Sequence, residues 1–203
     1  HVRSRRQRQM CIRDSFTGQR QVADWGTPIA INDVTVTFHP AGHVLGSAQI
    51  AVEHRGTRIV ASGDYKRTAD ATSEPFEPVP CDVFITEATF GLPVFRHPSG
   101  RHEIGRLLES LRQFPERAHV VGAYALGKAQ RVIRMIRDEG YDAPIYIHGA
   151  LVRLCEYYAQ EGIDLGPLLP ATLGKGQKGE FAGAIVVGPP SAFADRWARR
   201  FPD

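Results

Sequence analysis

Between Val34 and Thr86 the apolar positions recur every second residue. Val34, Val36 and Phe38 share one face of a run whose other face carries Thr35 and Thr37, the alternation of a half-buried strand. Ala48–His54 and Thr57–Ser62 read as two further strands joined by the tight turn Arg55-Gly56, and Asp82–Thr86 as another short one. After Gly100 the period changes. Ile104, Leu107, Leu108 and Leu111 stand at i, i+3, i+4 and i+7 and predict an amphipathic helix over Arg101–Phe114. A strand at Ala118–Gly122, a helix near Leu126–Glu139, a strand at Pro144–Ile147, a helix at Leu151–Glu161 and a strand at Ala184–Val187 follow. That βαβαβ order predicts a small parallel sheet with helices packed on it. Asp164–Gly183, rich in glycine, reads as an exposed loop, and Phe16–Ile31 as a loop leading into a strand. No closing element is expected after Gly188-Pro189-Pro190-Ser191 and an arginine-rich turn.

Composition adds limits. Apolar residues make up 42% and charged ones 23% of 203 residues, ordinary for a globular chain that buries a core. No apolar run reaches the roughly 20 residues of a membrane-spanning helix. A net charge of +3 selects no partner. Cys11, Cys81 and Cys155 have no CxxC spacing, so they form neither a zinc knuckle nor a disulfide framework, and a reducing cytoplasm is the simplest compartment. His1–Ser15 has five arginines and no hydrophobic period. It reads as a disordered basic arm or a non-native leader and is set outside the fold.

The strand pattern gives chemistry a place. His43 follows the Val34–Phe38 strand, Asp64 follows the Thr57–Ser62 strand, and Glu87 closes Asp82–Thr86. A strand rises ~3.3 Å per residue, so the hairpin runs ~25 Å out and returns as far. His43, just before it, and Asp64, just after it, therefore arrive at the same end of the sheet, and a strand at Val83–Thr86 running alongside brings Glu87 there too. Taken singly, each is an ordinary loop or turn residue. Together, an imidazole and two carboxylates at one sheet edge form a candidate metal site, since both donor types suit Zn²⁺.

These residues also carry a family resemblance. Pro40-Ala41-Gly42-His43-Val44-Leu45-Gly46-Ser47-Ala48, Gly63-Asp64-Tyr65 and Thr86-Glu87-Ala88-Thr89-Phe90-Gly91 resemble motifs of the metallo-β-lactamase fold in its β-CASP nuclease branch. Tyr124-Ala125-Leu126-Gly127-Lys128-Ala129-Gln130-Arg131 is similar to a signature of the inserted β-CASP domain. Ser62–Arg67, Cys81–Glu87, Ile145–Gly149 and Gly188–Ser191 narrow the resemblance to the bacterial ligase-associated DNA exonucleases.

The resemblance implies an α/β chain: an α+β lactamase sheet in a partial metallo-β-lactamase domain over 16–95, then a β-CASP domain over 96–203 built as a βαβαβ insert. It makes His43 a ligand of one zinc, Asp64 the carboxylate bridging two, and Glu87 the acidic residue that opens the β-CASP region and bonds a histidine near the metals. The implied reaction is metal-dependent phosphodiester hydrolysis in DNA repair, with DNA as substrate and an ATP-dependent DNA ligase as partner. The family's HxHxDH ligand run is missing upstream of Phe16, and its late histidines are expected beyond Asp203. The chain is therefore read as an internal fragment, inactive alone. An RNA-processing nuclease, a scaffold without catalysis and, more distantly, a thioester hydrolase stay open.

Other candidates are weaker. Gly127-Lys128 opens a helix but lacks GxxxxGK[ST]. Lys128, Arg131, Arg134 and Arg137 recur every three residues; such a stripe is commonly a solvated face, with nucleic-acid contact at Lys128 and Arg131 as the sharper reading. His148 is expected to cap a helix or line a cleft. His39, His54, His97, His102 and His119 are expected at the surface, and Cys155 in the core.

Overall fold

The structure, a computed structural model, describes residues 2–4, 21–96, 98–172, 181–194 and 197–201. The predicted leader therefore lies outside the described residues except for Val2–Ser4 (β1), which pairs in parallel with Gln21–Ala23 (β2). Cys11, His97 and 173–180 of the expected glycine-rich loop also lie outside them. The fold is mixed α/β, and the chain divides between Phe95 and Arg96 into two compact units.

The first unit is built on a five-stranded sheet in the order β3 (Ile29–Ile31), β4 (Val34–Pro40), β5 (Ala48–His54), β6 (Thr57–Ala61), β7 (Val83–Ile85). The first four run antiparallel and β7 pairs parallel to β6. Arg55 and Gly56, both at positive φ (48° and 83°), make the β5–β6 turn, the conformation a two-residue hairpin demands. The register sorts side chains by face. Gln49, Ala51 and Val60 are buried on one side, where the 64–82 connection covers them and the Tyr65 ring packs on Phe76 and Phe84. The opposite side carries Ile31, Val36, Ile50, Val52, Ile59, Val83 and Ile85. On it Phe38, opposite Ile50, is buried, while Ile31, Ile50, Ile59, Val83 and Ile85 remain between 37% and 58% exposed, so most of the more aliphatic face is open.

The second unit is a parallel sheet in the order β10 (Leu168–Pro170), β9 (Ile145–Ile147), β11 (Ile185–Gly188), β8 (His119–Gly122). Its helices are α1 (Gly100–Gln113), α2 (Lys128–Asp138) and α3 (Gly149–Gln160). Ile133 and Ile136 of α2 and Leu151, Cys155 and Tyr158 of α3 are buried, as is the whole of β11.

Two expectations are corrected here. The Asp164–Gly183 stretch is not simply an exposed loop: Leu168–Pro170 pairs with β9 as an edge strand, and Leu165, Ala171 and Phe181 are buried. A three-residue strand containing proline gives no alternation to read. The chain after Gly188 also closes the unit. A short helix α4 (Pro190–Phe193) precedes Trp197 and Phe201, and Phe201 packs with Ala171, Phe181, Ala184 and Val186. Aromatic burial at irregular spacing leaves no periodic signal.

Candidate metal centre

β4 ends at Pro40, and Ala41–Ser47 make a compact turn before β5. The Ala41 N–H donates to the Ser47 carbonyl (2.9 Å), while the Ser47 hydroxyl accepts the N–H groups of His43 (3.0 Å) and Val44 (3.2 Å). Gly42 sits at φ +72°, and a Cβ there would clash with the Lys66 carbonyl oxygen and come within 2.9 Å of the Phe76 nitrogen. Only glycine fits. Where the hairpin returns to this same sheet end, the Ser62 N–H extends the β6–β7 pairing by donating to the Ile85 carbonyl (2.9 Å), and Asp64 follows two residues on.

His43 Nε2 lies 3.9 Å from Asp64 Oδ2, and both side chains are solvent-accessible. The separation is too long for a direct hydrogen bond. It suits two donors of one ion: at ~2.1 Å each on a tetrahedral zinc they would stand roughly 3.4 Å apart, a few tenths of an ångström closer. The pair therefore fits part of a zinc site. Among the described residues no group of three or more His, Cys, Asp or Glu side chains comes together. Glu87 arrives at the same sheet end, two residues beyond Ile85, which pairs with Ala61. Its carboxylate accepts the Thr89 N–H (2.7 Å) and its own N–H reaches the Ser62 hydroxyl at 3.4 Å.

In the second unit the basic stripe does not behave as one surface. Lys128 is exposed in the first turn of α2 and Arg131 is half-buried one turn on. Arg134 pairs with Asp138 (2.7 Å) and donates to the Asp164 carbonyl (3.0 Å). Arg137 donates to the carbonyls of Leu165, Tyr141, Ala143 and Pro167 and lies over the Tyr141 ring. The solvated-face reading thus fails for Arg134 and Arg137, whose side chains hold the turn after α2 and the approach to β10. Gln130, fully buried in the nuclease-like signature, was not singled out by sequence; a glutamine three residues after a helix-opening glycine was the available signal.

His148 caps α3, its Nδ1 accepting the Ala150 N–H (3.1 Å). Cys155 is buried, as expected. Two histidines expected at the surface are only partly exposed and partnered: His39 Nδ1 lies 2.9 Å from Glu77 Oε1, and His119 Nε2 lies 3.0 Å from the Ser110 hydroxyl. His54 stays accessible, 2.9 Å from Asp33, and His102 is exposed. No helix among the described residues is long and apolar enough to cross a membrane.

No family model matches the chain. It is 28% identical over 173 residues to a probable DNA ligase of Opitutus terrae, covering 84% of this chain and 16% of that protein. It is 32% identical over 147 residues to the endoribonuclease ysh1 of Aspergillus fumigatus (66% and 16%), and 36% identical over 135 residues to cleavage and polyadenylation specificity factor subunit 3 of Dictyostelium discoideum (61% and 17%). The chain thus spans about a sixth of the length of these curated relatives. A crystal structure of a protein of unknown function from Enterococcus faecalis shares its fold, with a TM-score of 0.54 at 13% identity over 85% of this chain and 45% of that one. These similarities support, for this chain, the β-CASP family of metallo-β-lactamase-fold nucleases, at the level of the family rather than of the ligase-associated exonucleases.

Proposed function

We propose that this chain is part of a metal-dependent nuclease that hydrolyses phosphodiester bonds, with His43 and Asp64 among the ligands of a zinc centre. The carrying observation is the 3.9 Å approach of an imidazole nitrogen and a carboxylate oxygen from the two chain segments that flank one hairpin. A bound zinc pair would lower the pKa of a shared water and offset charge on the phosphoryl oxygens. His43 would supply a ring-nitrogen donor and Asp64 a carboxylate. Glu87 accepts the Thr89 N–H in the 87–89 turn at the same sheet end. The domains at 16–95 and 96–203 are taken as a partial metallo-β-lactamase domain and a β-CASP domain, and Lys128 and Arg131 as phosphate contacts of the latter.

Two substrate readings each rest on an observation. Similarity over most of this chain to a protein named as a probable DNA ligase, with the Ser62–Arg67 and Cys81–Glu87 motifs, favours a DNA exonuclease working beside an ATP-dependent ligase. Similarity to proteins named endoribonucleases supports RNA processing at least as well. The test takes the longer gene product that contains this chain and measures its zinc content and its cleavage of matched single-stranded DNA and RNA, wild type against Asp64→Ala. Loss of zinc and of cleavage in the variant is expected, and the preferred strand chooses between the two readings. Equal zinc and equal cleavage would overturn the ligand assignment.

A further inference from the structure

We infer that Gln49, with Ser73 and Glu74, acts as a set of positioning residues that holds the His43 turn against Asp64. The inference rests on the metal reading above for its purpose, though not for its geometry. Five hydrogen bonds tie residues 40–46 to a bracket formed by Gln49 and the 66–77 segment, and a sixth closes the bracket on itself. The Glu77 N–H and the Gln49 side-chain amide both donate to the Pro40 carbonyl (3.2 and 3.0 Å), and the same amide donates to the Glu77 carbonyl (2.7 Å). The Lys66 N–H donates to the Ala41 carbonyl (3.0 Å) and the Ser73 hydroxyl to the Gly42 carbonyl (3.2 Å), while Glu74 Oε2 accepts the Gly46 N–H at 3.3 Å. A Lys66–Asp70 ion pair and two bonds from Thr72 to Asp70 Oδ1 (2.8 and 2.6 Å) stiffen the segment itself.

Gln49 is the hub. It is fully buried in a strand position where an aliphatic residue would ordinarily pack. Two carbonyl oxygens facing one end of its amide fix which end is nitrogen, so its orientation follows from its partners. The β4–β6 ladder is complete without it, because the backbone pairs there on its own. What the side chain adds is aimed at Pro40 and Glu77, the entry to the His43 turn and the end of the bracket. An exposed donor on a seven-residue turn keeps its position only if the turn has one conformation, and outer partners of metal ligands commonly change affinity by about 10–100-fold.

The experiment uses the longer gene product that contains this chain, because His43 and Asp64 are only part of a ligand set. Amide hydrogen exchange is measured for the wild type, Gln49→Leu and Ser73→Ala, and zinc is titrated while the His43 ring resonances are followed, with Asp64→Ala as the metal control. In Gln49→Leu, exchange at His43 and Val44 is expected to quicken about ten-fold relative to the β4–β6 ladder, with a zinc affinity at His43 lower by about the same factor. Ser73→Ala is expected to move both readouts the same way by less, and it decides the matter if Gln49→Leu does not fold. Unchanged exchange at His43 and Val44, or quickened exchange with unchanged zinc affinity, overturns the positioning role. A wild-type His43 ring that ignores zinc overturns the metal reading instead, and the exchange data still judge the bracket.

Discussion

The Gln130 side-chain oxygen accepts the Gly127 N–H at 2.7 Å, while its amide nitrogen donates to the Ala125 carbonyl at 3.0 Å. One buried side chain thus closes the loop before α2 and caps that helix, and it touches the Cys155 sulfur at 3.5 Å as well. Gln130→Leu fills a similar volume but strands both backbone groups. A loss of roughly 2–4 kcal/mol is expected, about 1–3 for a buried group left unpaired and more where both partners are lost. Chemical denaturation reads it; a loss under 0.5 kcal/mol would show the cap to be dispensable.

Arg137 performs the equivalent task at the other end of α2. Its guanidinium spans four carbonyls on two chain segments, and burial pulls its pKa below the usual arginine value without discharging it. Arg137→Met keeps the aliphatic stem and removes every donor. Stability should drop by about 2 kcal/mol, with hydrogen exchange quickening first at Ile145 and Leu168–Leu169. Arg137→Lys should recover only part of the loss, because one ammonium cannot face four carbonyls in a plane.

Gly42→Ala tests the turn directly. Its positive φ and the crowding from Lys66 and Phe76 both oppose a side chain. A cost on the order of 1–3 kcal/mol is expected, accompanied by loss of the zinc response at His43. Gly56→Ala, at a positive φ but in open space, should lower stability and leave that response intact.

Burial pushes the Cys155 thiol pKa up, partly offset by its hydrogen bond from Gln130. The proton is thus held more tightly in the folded chain. Its contribution is fully present below the ordinary thiol value of about 8.5 and falls as pH rises toward the higher folded value. Cys155→Ala should flatten that part of the stability profile; Tyr141, also raised by burial, would then account for any fall that persists above about pH 10. Site-resolved alkylation at pH 8 should modify Cys81, which is only half-buried, well before Cys155.

The open aliphatic face of the first sheet should make the chain associate with itself. Five isoleucine and valine side chains lie on it, at least 37% exposed, and three of them are on β6 and the edge strand β7. Ile59→Thr with Ile85→Thr should cut hydrophobic-dye binding and concentration-dependent association while changing stability by about 1 kcal/mol or less. Unaltered association in that double variant would place the sticky surface elsewhere.

Local pattern was enough for much of this molecule. Alternation marked β4–β6, a positive-φ turn dipeptide marked their hairpin, and the 3.6-residue period marked α1 through α3, because each signal lies within a few neighbours along the chain. The meeting of His43 and Asp64 was also legible, since it needs only the arithmetic of one hairpin. Proline-containing β10 and the aromatic closure by Trp197 and Phe201 were not, because neither has a period.

The sequence alone determined β4–β9, β11 and the helices α1–α3, and which end of the sheet gathers the donors, for those outcomes follow from short-range geometry. Tertiary structure decided which face of the first sheet is covered, which arginines of the α2 stripe are spent on carbonyls, and that Gln49 and Gln130 are buried hubs. Those outcomes depend on where distant backbone groups come to lie, and a polar side chain bears no mark in sequence of whether water or a buried carbonyl will receive its protons.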